Sequence, residues 1–401
     1  MRRQLGNFLA LLVSLCVALV FIEMSLRLYF YGNLDQPDYH TQLYEPHPTR
    51  GWAARPNLET RLQDLAFNVP LSMNSRGLRG PEHSLEPDPK RFRILIVSDS
   101  AMFGTGVRDD ETTPAQLEAL LGRDRFEVIN LSLAAYSTVQ EYVFFLEEGL
   151  KYRPDLVLLG FAPVNDIQTN YQPLQEKYQK SLGRPYASLQ NGKLAIDYST
   201  AGDRTERRAK KRALRSWLRN YVTDHSVTYR LLRAAVGKFR GGKPVDPNIF
   251  LGWAFLEDFA MDYAEPGMTR ADYERLWAGG WAVTKALILD MRDKAQGIGA
   301  KFAMFIAPSK IEGDSEFRQS VQEAFPAARI NIRKIYRELK SLGDAEGIPT
   351  FEVAAALDEA IRRGEQDVYF DFADEHWTAR GHEIAAEALA RQLTAGDLLT
   401  K

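Results

Sequence analysis

The chain opens on one long apolar run and then settles into an alternation. Residues 8–22 carry no charge, and the apolar character passes Glu23 and Arg27 to reach Tyr31. A bilayer-crossing helix needs roughly 20 such residues, so this stretch predicts a transmembrane helix. Residues 33–90 follow without clear period, rich in proline, aspartate and glycine, and predict turns and short extended pieces. Short apolar runs then appear at 91–98, 126–133, 154–161, 301–307 and 349–353, each with the length of a buried strand. Helical periodicity fills 113–121, 139–150, 273–296, 324–342 and 381–393. Strands alternating with helices predict an α/β fold, a three-layer α/β/α arrangement around a five-stranded, mostly parallel sheet. In such sheets functional groups gather at the carboxyl ends of the strands.

Three regions follow from this pattern: a cytoplasmic N-terminus and anchor over 1–32, an extended lead-in over 33–90, and a catalytic-type domain over 91–401. The rhythm lapses at about 171–270, which predicts an insertion. Within it Arg204, Arg207, Arg208, Lys210, Lys211, Arg212, Arg215 and Arg219 crowd one stretch. That stretch suits either a solvated helix face or a contact to anionic lipid or acidic polysaccharide over 204–219.

Charge sets orientation and excludes some partners. Arg2 and Arg3 precede the apolar run, and after Arg27 no lysine or arginine appears until Arg50. The positive-inside rule then keeps the N-terminus cytoplasmic and exports the body. The expected arrangement is a single crossing, with the body on the extracytoplasmic side. A cleaved signal peptide is the competing reading, but no small-x-small site follows the apolar stretch. Glu23 and Arg27, one turn apart, are expected to pair near the far interface. A net charge of -2 gives no reason to expect nucleic acid. Cys16 is the single cysteine, so neither an intramolecular disulfide nor a cysteine-based zinc site is possible. Neither a cofactor nor a metal is expected.

Candidate chemistry sits at two places almost three hundred residues apart. Ser100 directly follows the strand at 91–98, in a turn before a helix, where a backbone N–H and the helix dipole can face a developing oxyanion. Asp374 and His376 stand just before the closing helix. A hydroxyl, an imidazole to take its proton and a carboxylate to orient the imidazole are the parts of a hydrolytic triad. Asp99 is expected to hold the turn by hydrogen bonding. Asn165-Asp166 reads as a turn pair after a strand or as an oxyanion donor. His376 could instead be structural, or a metal ligand with Asp374 and His382; His382 reads as structural, and Trp377 as packing beneath the site.

Val97-Ser-Asp-Ser-Ala-Met-Phe-Gly-Thr-Gly-Val107 resembles the first block of the SGNH/GDSL hydrolase superfamily. Asn130-Leu-Ser-Leu-Ala-Ala135 resembles the second, Pro154-Asp-Leu-Val with Val164-Asn165-Asp166 the third, and Asp374-x-His376-Trp with Gly381-His382 the last. The lead-in, with Arg-Gly-Trp52 and Asn74-Ser-Arg-Gly-Leu-Arg-Gly80, is similar to that of membrane-anchored bacterial members, which implies a bacterial inner membrane, crossed once, with the domain in the periplasm. The resemblance implies a flavodoxin-like sheet, Ser100 as nucleophile, His376 as base and Asp374 as its orienting partner. It implies oxyanion donors at the Ser100 and Ala135 N–H groups and the Asn165 amide. It also implies an acyl-ester or O-acetylated glycan substrate. Three functions fit: an esterase removing acetyl groups, an O-acyltransferase moving acetyl onto exported polysaccharide, or an inactive domain that binds glycan or serves envelope assembly. A lipid-acting enzyme resting on its basic insertion is a weaker fourth. Two positions depart from the superfamily, with Ser98 and Ala135 standing where glycines are usual. If position 135 needs a positive φ, alanine there is strained.

Overall fold

The computed structural model describes residues 2–32, 42–178, 183–202, 226–229, 231–232, 269–326, 330–370 and 375–400. Asp374 and the basic stretch 204–219 lie outside them. The chain begins with α1 (Arg2–Tyr31), of which Gly6–Tyr31 is long and apolar enough to cross a membrane, with a mean hydropathy of 2.5. Glu23 and Arg27 pair on it at 2.8 Å.

The lead-in forms two antiparallel hairpins. β1 (Tyr44–His47) pairs with β2 (Gly51–Ala54), and β3 (Glu59–Gln63) with β4 (Asn68–Ser72). Leu43, Trp52, Leu62, Leu71, Met73 and Leu78 are buried in the same hydrophobic cluster as strands of the main sheet. The lead-in is therefore part of the core.

The main sheet holds five parallel strands: β5 (Phe92–Ser98), β6 (Phe126–Ser132), β7 (Leu156–Phe161), β10 (Lys301–Ile306) and β11 (Thr350–Glu352). Their spatial order is β11-β10-β7-β5-β6, the flavodoxin-like order, and β5 sits at the switch point. Every residue of β5, β6 and β7 is buried, as continuous apolar runs covered on both faces require. Two clusters form the core, one on each face of the sheet. Between β7 and β10 lies the small hairpin of β8 (Tyr186–Gln190) and β9 (Lys193–Asp197).

The helices relevant to the site are α2 (Ser100–Phe103), α3 (Thr113–Leu121), α4 (Thr138–Glu147), α5 (Asp166–Asn170) and the closing α12 (Ala379–Ala395). The helix expected over 324–342 starts later than expected, and a separate helix, Ser315–Ala324, precedes it. The earlier one ends just before Phe325 and Pro326, and the later one runs Arg333–Glu346. Proline offers no N–H to the preceding turn and clashes with it, so the helical pattern breaks there.

Candidate active site

The Ser100 turn is held from several directions. β5 ends at Ser98, and Asp99 caps α2 by accepting a hydrogen bond from the Ala101 N–H at 3.1 Å. Ser100 is the first residue of that short helix. Gly104 closes it in the left-handed region at φ 81°, and a Cβ there would lie 2.5 Å from the Thr112 side chain. Asn130 Nδ2 donates to the Met102 carbonyl at 2.8 Å. From the lead-in, the buried Arg79 guanidinium donates to the carbonyls of Phe103, Gly104 and Val107 and pairs with Asp109 at 2.7 Å.

Ser98, which stands where the superfamily has glycine, does not crowd this turn. Its hydroxyl donates to the Gly160 carbonyl of β7 at 2.7 Å, and a Cβ at Gly160 would come within 2.6 Å of that oxygen. A glycine in the neighbouring strand makes the room that the serine takes.

His376 arrives from the other end of the chain. Phe370 N–H donates to the His376 carbonyl at 3.0 Å and Thr378 N–H to the Val368 carbonyl at 3.1 Å. Tyr369 bridges Trp377 between them, giving a short antiparallel pairing. Trp377 is buried, and its Nε1 donates to the Pro308 carbonyl at 3.1 Å, which ties the pairing to the segment after β10. The result brings His376 Nε2 to 2.8 Å from Ser100 Oγ, across 276 residues of sequence. His382 is engaged elsewhere: its Nδ1 accepts from Thr113 N–H at 3.2 Å and faces the Thr113 hydroxyl at 2.9 Å. Burial pushes its pKa down to about 3, so it stays neutral and pins α12 to the start of α3. Among the described residues no group of three His, Cys, Asp or Glu side chains could hold a metal ion.

The other two predicted oxyanion positions lie at the carboxyl ends of β6 and β7, on either side of β5. Ala135 has φ 63°, so the left-handed backbone suspected from its missing glycine is present, adopted by an alanine. An L-residue there costs roughly 1–2 kcal/mol. Tertiary contacts hold the turn. Trp52 Nε1 donates to the Ala134 carbonyl at 3.4 Å, and Arg184 Nη2 to the Ala135 carbonyl at 3.4 Å. Tyr136 OH donates back to the Trp52 carbonyl at 2.5 Å, and the two rings meet edge-on at 5.5 Å. A trans peptide is planar, with its C=O and N–H pointing opposite ways. Fixing the Ala134 carbonyl on Trp52 therefore sets the direction of the Ala135 N–H. Asn165 precedes α5, and its Nδ2 donates to Asp99 Oδ2 at 3.2 Å, which links the third strand end to the Ser100 turn and leaves a second amide hydrogen.

Beneath these turns lie three fully buried carboxyls, Asp99, Glu141 and Asp166. Burial raises the pKa of each, and for Glu141 and Asp166 the neighbouring acids raise it further. At Asp99 the Ala101 N–H, the Asn165 amide and His376 oppose the rise. Sequence reasoning missed Glu141, Arg79, Trp52 and Arg184 as parts of the site. The motifs holding Trp52 and Arg79 stood out in the lead-in, but nothing local tells which turns they reach.

Residues 270–401 match the model of a family described as SGNH hydrolase-like domain, acetyltransferase AlgX. No curated protein matches the chain. Among solved structures, a lipolytic protein of the G-D-S-L family from Desulfitobacterium hafniense aligns at 11% identity and TM-score 0.35, over 76% of this chain and 100% of that one. A catalytic mutant of an acetylxylan esterase from Geobacillus stearothermophilus aligns at 12% identity and TM-score 0.34, over 75% and 94%. A lipolytic G-D-S-L family protein from Veillonella parvula aligns at 10% identity and TM-score 0.35, over 76% and 98%. Over its C-terminal third the chain is thus similar to an SGNH hydrolase-like domain family, and its sheet has the flavodoxin-like order.

Proposed function

We propose that this is an exported, membrane-anchored serine enzyme that takes acetyl groups from esters through an acyl-enzyme at Ser100. The observation that carries this reading is the 2.8 Å contact between Ser100 Oγ and His376 Nε2. In the mechanism, Ser100 Oγ attacks the acyl carbonyl carbon while His376 Nε2 takes the hydroxyl proton. The tetrahedral oxyanion is held by the N–H groups of Ser100 and Ala135 and the Asn165 amide. Collapse breaks the bond to the alkoxy group, which leaves as an alcohol with the proton from His376. Water then attacks the acyl-enzyme, with His376 as base, and releases acetate and free Ser100. Asp374, two residues before His376 in the sequence, is assigned the carboxylate that keeps the imidazole tautomer in register.

A second reading replaces water by a sugar hydroxyl, making the enzyme an O-acyltransferase on envelope or exported polysaccharide. It is favoured by one observation, the match of residues 270–401 to a family described as acetyltransferase. The two readings share the triad and differ in what reaches the acyl-enzyme. An inactive glycan-binding domain would not need the Ser100–His376 contact. The apolar α1 supports anchoring, with the domain on the periplasmic side.

The test is turnover of a small acetyl ester by the full chain. Ser100→Ala is expected to abolish it with the thermal unfolding curve unchanged, and undiminished turnover would refute the nucleophile. Adding acetylated and unacetylated oligosaccharides then partitions the acyl-enzyme. Acetate release alone indicates the esterase, and acetyl transfer to sugar indicates the transferase.

A further inference from the structure

If α1 crosses a membrane, its one acidic side chain needs partners, and the structure supplies them from the far insertion. Along the last turns of α1 the partly buried or buried positions are Glu23, Leu26, Arg27, Phe30 and Tyr31, spaced as one helix face. That face packs on Leu65, Val227 and Leu231. The Glu23 carboxylate accepts from Arg27 Nε at 2.8 Å, Ser226 Oγ at 3.0 Å, Val227 N–H at 3.0 Å, and Thr228 N–H and Oγ at 2.9 and 2.8 Å. Five donors replace the water this carboxylate would otherwise need.

The level of this clamp follows from helix geometry. Glu23 lies eight residues before the end of α1, about 12 Å along its axis. A hydrocarbon core of about 30 Å takes roughly 20 residues, so a span starting near Phe8 reaches the far boundary around Glu23 to Arg27. At that level the docked segment turns its polar groups inward to Glu23. Its outward side chains are apolar: Tyr229 is 38% exposed and Leu232 58%. Beside them α1 exposes Met24, Leu28 and Tyr29. A tyrosine at a membrane boundary keeps its ring in the lipid and its hydroxyl in water, and a leucine beside it adds apolar surface to the lipid side.

We propose that residues 226–229 and 231–232 form a second membrane contact, a wedge seated among the lipids of the outer-facing leaflet beside α1, with Glu23 as its clamp. This rests on the reading that α1 spans the bilayer. The body is then docked on the membrane at two points, which fixes its height and tilt.

The experiment uses the full chain with Cys16→Ser, in lipid nanodiscs of phosphatidylethanolamine and phosphatidylglycerol. Spin labels are placed singly at Leu232→Cys, at Val20→Cys within α1, and at Leu120→Cys on the body, and their exposure to oxygen and to a water-soluble nickel chelate is compared. The expected result is oxygen-favoured exposure at positions 20 and 232 and chelate-favoured exposure at 120. A lipid-like 20 with a water-like 232 overturns the wedge while leaving the span intact. A water-like 20 overturns the spanning reading and the wedge with it. Glu23→Ala is expected to move the label at 232 into water while turnover of a soluble acetyl ester is unchanged. A label that stays in lipid would overturn Glu23 as the clamp.

Discussion

Two turns at the carboxyl ends of neighbouring strands, each proposed to offer a backbone N–H to the oxyanion, are built in opposite ways. The Ser100 turn has much of its support in its own sequence: Asp99 caps the helix and Gly104 closes it with a backbone only glycine adopts freely. The Ala135 turn has an alanine at φ 63° and depends on Trp52 and Arg184, side chains from other parts of the chain. Local chemistry secures the first, and tertiary contact secures the second. The difference implies that the nucleophile's position tolerates loosening of the surrounding structure better than the neighbouring donor does.

The largest test removes the nucleophile from the first turn. Ser100→Ala is expected to lower kcat for a small acetyl ester by ~1,000-fold or more, with little change in stability. Next comes a distant support of that turn. Arg79→Met strips donors from three carbonyls and leaves Asp109 without its pair, so it should cost about 3 kcal/mol, read as a lower denaturant midpoint. If stability held, the Ser100 turn would be more self-sufficient than the structure indicates.

Trp52→Phe keeps a ring and removes only the donor to the Ala134 carbonyl. Mis-aiming the Ala135 N–H is expected to lower kcat about 10-fold with KM nearly unchanged, since the lost interaction belongs to the transition state. An equal loss in KM would make Trp52 a packing residue. Ala135→Gly relieves the left-handed strain while freeing the unfolded chain, so the net gain in stability should be under about 1 kcal/mol. Combined with Trp52→Phe, it tests whether the strained turn needs its external support.

A test that lies on neither turn serves as their control. Burial pushes Glu312 up to about 8 from an ordinary 4.5. Between those values the folded form keeps a proton that the unfolded chain has lost. Its contribution is therefore fully present below about pH 4.5 and fades as pH rises through about 8. Glu312→Gln should flatten that fall, seen in melting temperatures measured across the window, without moving kcat.

Much of the fold was legible because the strands are buried on both faces and so read as unbroken apolar runs, as at Ile94 to Val97 and Leu156 to Leu159. The meeting of Ser100 and His376 was legible from motif order and from the rule that sites gather at strand ends. The strain at position 135 was legible from an alanine in place of glycine. What escaped was long-range. Nothing near Trp52 or Arg79 says which carbonyls they reach, and nothing near Ser98 says that Gly160 has made room for it. The helix expected from Ala324 begins only at Arg333, because Pro326 stands two residues after that start and cannot continue a helix.

The hairpins between anchor and sheet carry a practical consequence. Leu43, Trp52 and Leu71 lie in the hydrophobic core, and Arg79 reaches the nucleophile loop. A form trimmed to Arg91 would expose that interior and slacken the Ser100 and Ala135 turns, so the cut belongs ahead of Gln42, where α1 is shed with its contacts to Leu65 and Val227 while the main core stays whole.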